Sequence, residues 1–111
     1  MSDETLLVLT TCGNDEDATA LAQLLVGQRL AACVNAIGKV ASIYRWKGEV
    51  QQDQETLLII KTTAEGFEPL RAALLSLHPY EVPELLALPV RGGHGPYLAW
   101  LDENVGPPPR L

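Results

Sequence analysis

Basic residues, cysteines and long apolar runs are all scarce in this sequence of 111 residues. The chain has eight Lys and Arg residues but 14 Asp and Glu residues. The resulting net charge of −6 disfavours binding to nucleic-acid phosphates. Every apolar run is short and interrupted by charge, which argues against a membrane span. The two cysteines form no dense disulfide pattern and the first residues lack a basic secretion signal, so we expect a cytoplasmic protein.

The length and apolar content are those of one packed domain. Hydrophobic residues make up 47% of the chain, enough for a single core. We predict one domain over residues 1–105 and a flexible, Pro-rich tail over residues 106–111. The mean hydropathy of +0.07 is slightly high for so small a domain, which suggests apolar surface available to a partner.

Hydrophobic periodicity predicts the order strand, helix, strand, strand, helix, strand. The predicted segments are, in order, a strand over residues 5–11, a helix over 15–30, an apolar run over 32–37 that leads to a strand over 40–46, a strand over 49–62, a helix over 67–78 and a strand over 84–90. With right-handed crossovers this order gives an α+β, ferredoxin-like βαββαβ sandwich, an antiparallel sheet with two helices on one face. A short element over residues 97–102 follows.

Local signals mark several ends of these segments. Asn14 or Asp15 is suited to cap the first helix, and Thr62 with Glu65 matches a capping box for the second. Lys47-Gly48 is suited to the turn of a long hairpin between the second and third strands.

The third strand is too long for a domain of this size. Residues 49–62 would extend about 45 Å at roughly 3.3 Å per residue. The expected diameter of the domain is only about 34 Å. The polar part, residues 49–54, would therefore carry unpaired backbone groups beyond the core, and pairing with a neighbouring subunit would satisfy them.

Five short segments resemble those of a known family. They are Leu30-Ala-Ala-Cys33, Ser42-Ile-Tyr-Arg-Trp-Lys-Gly48, Glu55 with Ile60-Lys-Thr-Thr63, His78-Pro-Tyr-Glu-Val-Pro-Glu84 and Tyr97-Leu-Ala-Trp100. They resemble the CutA family of divalent-cation tolerance proteins over residues 6–102. The resemblance implies a ferredoxin-like fold, a cytoplasmic homotrimer held by intersubunit strands, a link to copper and other divalent metals, and an architecture similar to PII signalling proteins.

His78 is a candidate metal ligand, because a neutral imidazole binds copper or zinc well. The resemblance implies two further copper ligands, a histidine just before it and a cysteine in the first strand, but these positions hold Leu77 and Thr10. Cys12 lies two residues further on and could supply a thiolate. We expect any binding of copper or another divalent metal to be weak. The alternative is that His78 caps the second helix.

Lys61 is a candidate for binding a small anion. It shares a strand and a sheet face with Glu55 and lies near the end of the buried zone, where a lysine needs a counter-ion. Glu84 or Glu81 could provide that charge in a structural ion pair. The alternative is a recognition site in which Lys61 contacts an anionic ligand.

Five of the six aromatic residues lie outside both predicted helices. They are Tyr44, Trp46, Tyr80, Tyr97 and Trp100. They either pack in an interface between subunits or form the wall of an intersubunit cleft, and the two interpretations are compatible. We predict that Lys61, Glu84, His78 and Tyr80 line one such pocket.

These features predict a non-enzymatic homotrimer that binds a metal ion or a small anion in clefts between subunits. Its role would be metal tolerance or PII-like signalling through a small ligand. The alternative is a small trimeric enzyme of isomerase or acyl-transfer type with active sites at the interfaces. The sequence shows no nucleophile–base pair and no Gly-rich phosphate loop, which disfavours that alternative.

Overall fold

A computed structural model of the chain describes residues 4–108. The elements are β1 (Thr5–Cys12), α1 (Asp15–Gly27), β2 (Cys33–Trp46), β3 (Glu49–Thr63), α2 (Phe67–Leu77), β4 (Leu86–Pro89) and α3 (Gly95–Glu103). Residues 109–111 of the predicted tail lie outside the described residues. No helix within residues 4–108 is long and apolar enough to cross a membrane.

The four strands form one antiparallel sheet in the order β2-β3-β1-β4. Helices α1 and α2 cover one face of it. Their side chains share a core with alternate residues of β1 and β3, and the members that are inaccessible to solvent are Val8, Ala18, Leu25, Leu58, Ile60, Leu70 and Leu74. The predicted ferredoxin-like βαββαβ fold is therefore confirmed.

The opposite face of the sheet, which we call the open face, is only partly covered. Side chains alternate along a strand, so Leu7 and Leu9 point away from the two helices. Their β4 partners, Leu88 and Leu86, lie on the same face and are exposed. Helix α3 contacts β1 and β3, and Lys61 on the open face donates a hydrogen bond to its Tyr97. The open face therefore carries exposed apolar side chains beside α3.

The hairpin between β2 and β3 extends well beyond the core. Pairing of β3 with β1 ends at Thr56, whereas pairing with β2 continues to Glu49. Residues 40–55, which we call the arm, are therefore a two-stranded ribbon, and the molecule measures 52 × 26 × 21 Å. Lys47 and Gly48 have φ values of 51° and 81°, as a type I′ hairpin turn requires. The predicted overlong hairpin and its turn are confirmed.

A β-bulge joins the two apolar runs of β2 into one strand. Ile37 pairs with Leu57 and Val40 pairs with Glu55, so β2 carries one extra residue at this point. The bulge reverses the alternation, and Tyr44 and Trp46 consequently share a face with Glu55.

Arg29 connects the end of α1 to the end of α3. It has a φ of 59° and closes α1 in a Schellman motif, in which Arg29 and Leu30 donate backbone hydrogen bonds to the carbonyls of Val26 and Leu25. This turn ends α1 at Gly27 and not near Leu30 as predicted. The Arg29 guanidinium donates to the carbonyls of Glu103 (2.5 Å) and Gly106 (2.6 Å). The Gly106 N–H donates back to the Arg29 carbonyl at 2.9 Å.

Two other local predictions were wrong. Thr62 does not cap α2, because it belongs to β3 and its hydroxyl donates to the Leu30 carbonyl at 2.8 Å. The Thr63 hydroxyl instead accepts from the backbone N–H of Gly66, the residue before the helix. The last strand is also shorter than residues 84–90, since only its central four residues pair with β1.

Candidate functional site

A groove of about 590 Å³ lies where the arm leaves the core. We call it the arm groove. Its lining comprises four carboxylates (Asp53, Glu55, Glu81 and Glu84), three aromatic residues (Tyr44, Trp46 and Tyr80), and Thr11, Ser42, Ile43 and Val82. No Lys, Arg or His is among these lining residues, so the groove is electrostatically negative.

Glu55 is the most buried carboxylate of the arm groove, with 9% of its surface exposed. Its Oε2 accepts a hydrogen bond from the Tyr80 hydroxyl at 2.7 Å. Burial, and then this bond to Glu55, raise the pKa of Tyr80 well above its usual value, so the hydroxyl stays protonated and donating. Within residues 4–108 no cationic side chain lies within ion-pair distance of Glu55. A buried carboxylate with a single hydroxyl donor is only partly compensated for its lost hydration.

The arm side of the groove is held by a contact across the hairpin. The Tyr44 hydroxyl on β2 donates to the Asp53 carboxylate on β3. This hydrogen bond is the main reason why the pKa of Tyr44 is raised. The Lys47 ammonium lies 5.9 Å from the centroid of the Trp46 ring. Both aromatic side chains are therefore positioned by neighbours within the arm itself.

His78 forms the end of α2 and is 8% exposed. Its Nε2 lies 2.7 Å from the Thr11 carbonyl, and its Nδ1 accepts from the backbone N–H of Tyr80 at 3.1 Å. Because Nδ1 accepts, we assign the proton to Nε2, which donates to Thr11. Both ring nitrogens are therefore occupied, and a metal ion could bind only after one of these hydrogen bonds is broken.

Cys12 lies beside His78 on a second cavity, of about 260 Å³. The thiol is 1% exposed, and burial, followed by the charges of Asp17 and Glu55, raises its pKa. It is therefore a neutral thiol at pH 7 and would have to release its proton to bind a metal ion. No group of three or more His, Cys, Asp or Glu side chains within residues 4–108 could hold a metal ion. His78 and Cys12 as arranged here do not fit a resident copper ion, and their assignment as ligands stays a prediction.

Lys61 lies on the open face and contacts α3. Its Nζ is 3.3 Å from the Tyr97 hydroxyl and 5.7 Å from the centroid of that ring. Tyr97 stacks on Trp100 with the ring centroids 5.5 Å apart. Among the described residues no carboxylate lies within ion-pair distance of Lys61, so the expected pairing with Glu84 or Glu81 does not form within one chain.

The predicted site residues thus separate into three groups in one chain. Tyr44, Trp46, Glu55, Tyr80 and Glu84 meet in the arm groove; Lys61, Tyr97 and Trp100 lie together on the open face; and His78 and Cys12 line the second cavity. The sequence reasoning missed Asp53. The hairpin register set by Lys47-Gly48 could have found it, because that register pairs Asp53 with Ser42, two residues from Tyr44.

The sheet order, the two helices on one face and the overlong hairpin define a ferredoxin-like domain with a protruding arm. The family model described as "CutA1 divalent ion tolerance protein" matches residues 6–104. The chain belongs to this family, as the resemblance of its short segments implied.

Relatives and solved structures agree with this assignment. The divalent-cation tolerance protein CutA of Thermus thermophilus is 51% identical over 100 residues, which are 90% of this chain and 97% of the relative. Human protein CutA is 47% identical over 93 residues, 84% of this chain but only 52% of the human protein. The solved structure of the Thermus protein superposes with a TM-score of 0.90 at 50% identity, covering 92% of this chain and 99% of that one.

The names of these relatives describe tolerance to divalent cations, and none of those cited names an enzymatic reaction. Their compartments differ. One relative, from Arabidopsis thaliana, is named chloroplastic, and a neighbour from Archaeoglobus fulgidus is titled periplasmic.

Proposed function

We propose that the chain acts without enzymatic activity, as a homotrimer in which the arm of each copy lies over the next copy. The observation that carries this proposal is the uncovered arm. Among residues 4–108, no third strand or helix lies beside its two strands over most of their length. Ile43 and Val50 are 67% and 64% exposed there. A two-stranded ribbon is marginally stable alone, and a second copy would supply both strand pairing and apolar cover.

The open face supports the same assembly. Leu86 and Leu88 on β4, together with Tyr97 and Trp100 on α3, present exposed apolar and aromatic surface in one chain. A closed ring buries the same surfaces in every copy and leaves no arm unpaired. The number three is the one that the family resemblance implies.

We propose that the arm groove is where this assembly binds a divalent cation, weakly and with little selectivity. The four carboxylates attract cations and supply the oxygen donors that such ions accept. They do not converge on one point within a chain, so the geometry of the site cannot enforce a choice of metal. For the same electrostatic reason we do not retain the small anion as the ligand of this groove. A cytoplasmic location and a PII-like signalling role stay predictions.

Light scattering on the purified chain tests the assembly. Each copy weighs 12.0 kDa, and we expect about three times that mass at micromolar concentration. A mass of one copy under these conditions would contradict the proposal.

A further inference from the structure

Two charges on the open face of β3 have no counter-charge in the part of the chain that the structure describes. Glu55 is 9% exposed and receives a hydrogen bond from the Tyr80 hydroxyl, while the half-buried Lys61 bonds only to the Tyr97 hydroxyl. No ion pair forms between these two groups or to any other residue among residues 4–108. They are six positions apart, which is about 20 Å along a strand, so they cannot meet within one copy.

We propose that Lys61 of one copy enters the arm groove of a neighbouring copy and pairs there with Glu55. This inference rests on the proposed trimer. In a head-to-tail ring two different surfaces of neighbouring copies meet, and in this arrangement the base of one copy's arm lies against the far end of the next copy's open face. That far end carries Lys61, which pairs in register with Cys33 at the end of β2 opposite the arm.

The chemistry of the two surfaces is complementary. The groove offers carboxylates and aromatic walls without a cation, and an ammonium on a flexible apolar stem fits such a site. Three of the other basic side chains are engaged within their own chain. Arg29 binds the carbonyls of Glu103 and Gly106, Arg45 donates to the Gly48 carbonyl, and Arg71 pairs with Glu68. The inserted lysine would supply the charge that the buried Glu55 lacks, and it would leave Asp53, Glu81 and Glu84 for the divalent cation proposed above.

Charge reversal tests the pairing. Glu55→Lys and Lys61→Glu, made separately, each place like charges together, and we expect the concentration at which trimers dissociate to rise by about tenfold or more. Combining both substitutions exchanges the two charges, so the double variant is expected to return to within about threefold of the original value. Sedimentation at several protein concentrations gives these values. Arg71→Glu, which changes an exposed pair on α2, is the matched control and should leave dissociation unchanged.

A second double-mutant cycle, with neutral substitutions, covers the case in which a reversed charge prevents folding, as judged by circular dichroism. Glu55→Gln and Lys61→Met remove the charges without reversing them. The double variant should raise the dissociation concentration no more than either single variant does. If the losses of trimer stability are additive in both cycles while the original chain is still trimeric, the pairing is wrong and the proposed trimer is unaffected. A monomeric original chain would overturn the proposed assembly itself.

Discussion

The same two strands run through two different environments in this molecule. At the core end of β3, Leu58 and Ile60 are inaccessible to solvent beneath α1 and α2, whereas Val50 on the arm is 64% exposed. The antiparallel ladder between β2 and β3 continues through both regions, interrupted only by the bulge. Strand formation is therefore common to both regions. They differ in whether helices of the same chain pack against the strands. The core end is covered by helices of its own chain, and the arm has no such cover among the described residues.

The largest effect is expected in the core. Leu74→Ala removes a fully buried side chain of α2 and should lower the free energy of unfolding by about 2–5 kcal/mol. Leu75→Ala on the same helix is the matched control, because Leu75 is 40% exposed and should change this free energy by less than about 1 kcal/mol. Denaturant titration at one protein concentration measures both. Equal losses would contradict the assignment of the core.

The next effect concerns the edge of the arm. In a hairpin with a two-residue turn the flanking pair, here Trp46 and Glu49, exchanges hydrogen bonds, so the N–H of Val50 points away from β2. In the proposed assembly this N–H would face a strand of the neighbouring copy. Val50→Pro should therefore weaken assembly, raising the dissociation concentration about tenfold, while the hairpin remains. Gln51→Pro removes a donor inside the hairpin and should disrupt the arm itself. Unchanged dissociation in Val50→Pro would show that this edge is not used.

A copper titration separates the two candidate cation sites. We expect calorimetry to show micromolar or weaker binding of copper, because the carboxylates of the arm groove do not converge on one point within a chain. Glu84→Gln in the arm groove should weaken it about threefold, since it removes one of the carboxylate charges that line the groove. His78→Ala should leave the affinity unchanged, because both ring nitrogens are already bonded. Loss of binding in His78→Ala but not in Glu84→Gln would instead place the cation at the histidine predicted from the sequence.

The smallest effect is a loss of stability in alkaline solution. The pKa values of Cys12 and Tyr80 are raised by folding above reference values of 9.0 and 10.0. The folded state therefore holds protons that the unfolded state has released, so its stability is intact below pH 9 and falls as the pH rises further. Unfolding free energies measured from pH 8 to 10.5 should decline, with a shallower slope in Cys12→Ala. A free energy that is flat or rises above pH 9 would contradict these assignments.

Much of the fold was predictable because its signals are local. Alternation marked the arm, Lys47-Gly48 marked its turn, and the residue count of β3 showed that the arm outruns the core. The site was only partly predictable. The partner of Lys61 is Tyr97, 36 positions further along, and depends on where α3 docks. His78 is fixed by the backbone carbonyl of Thr11, and a carbonyl leaves no signature in a sequence.

The link between Arg29 and the end of α3 has a consequence for biosynthesis. The two ends of this contact, Arg29 and Gly106, are separated by 77 positions, so it closes one of the longest loops in the chain. Strands β1, β2 and β3 are synthesised before α3, and the carbonyls of Glu103 and Gly106 that bind Arg29 come last. Until α3 has been made, the open face lacks the cover that this helix provides. We expect chains truncated before Glu103 to aggregate during expression, although every residue of the helix-side core is present.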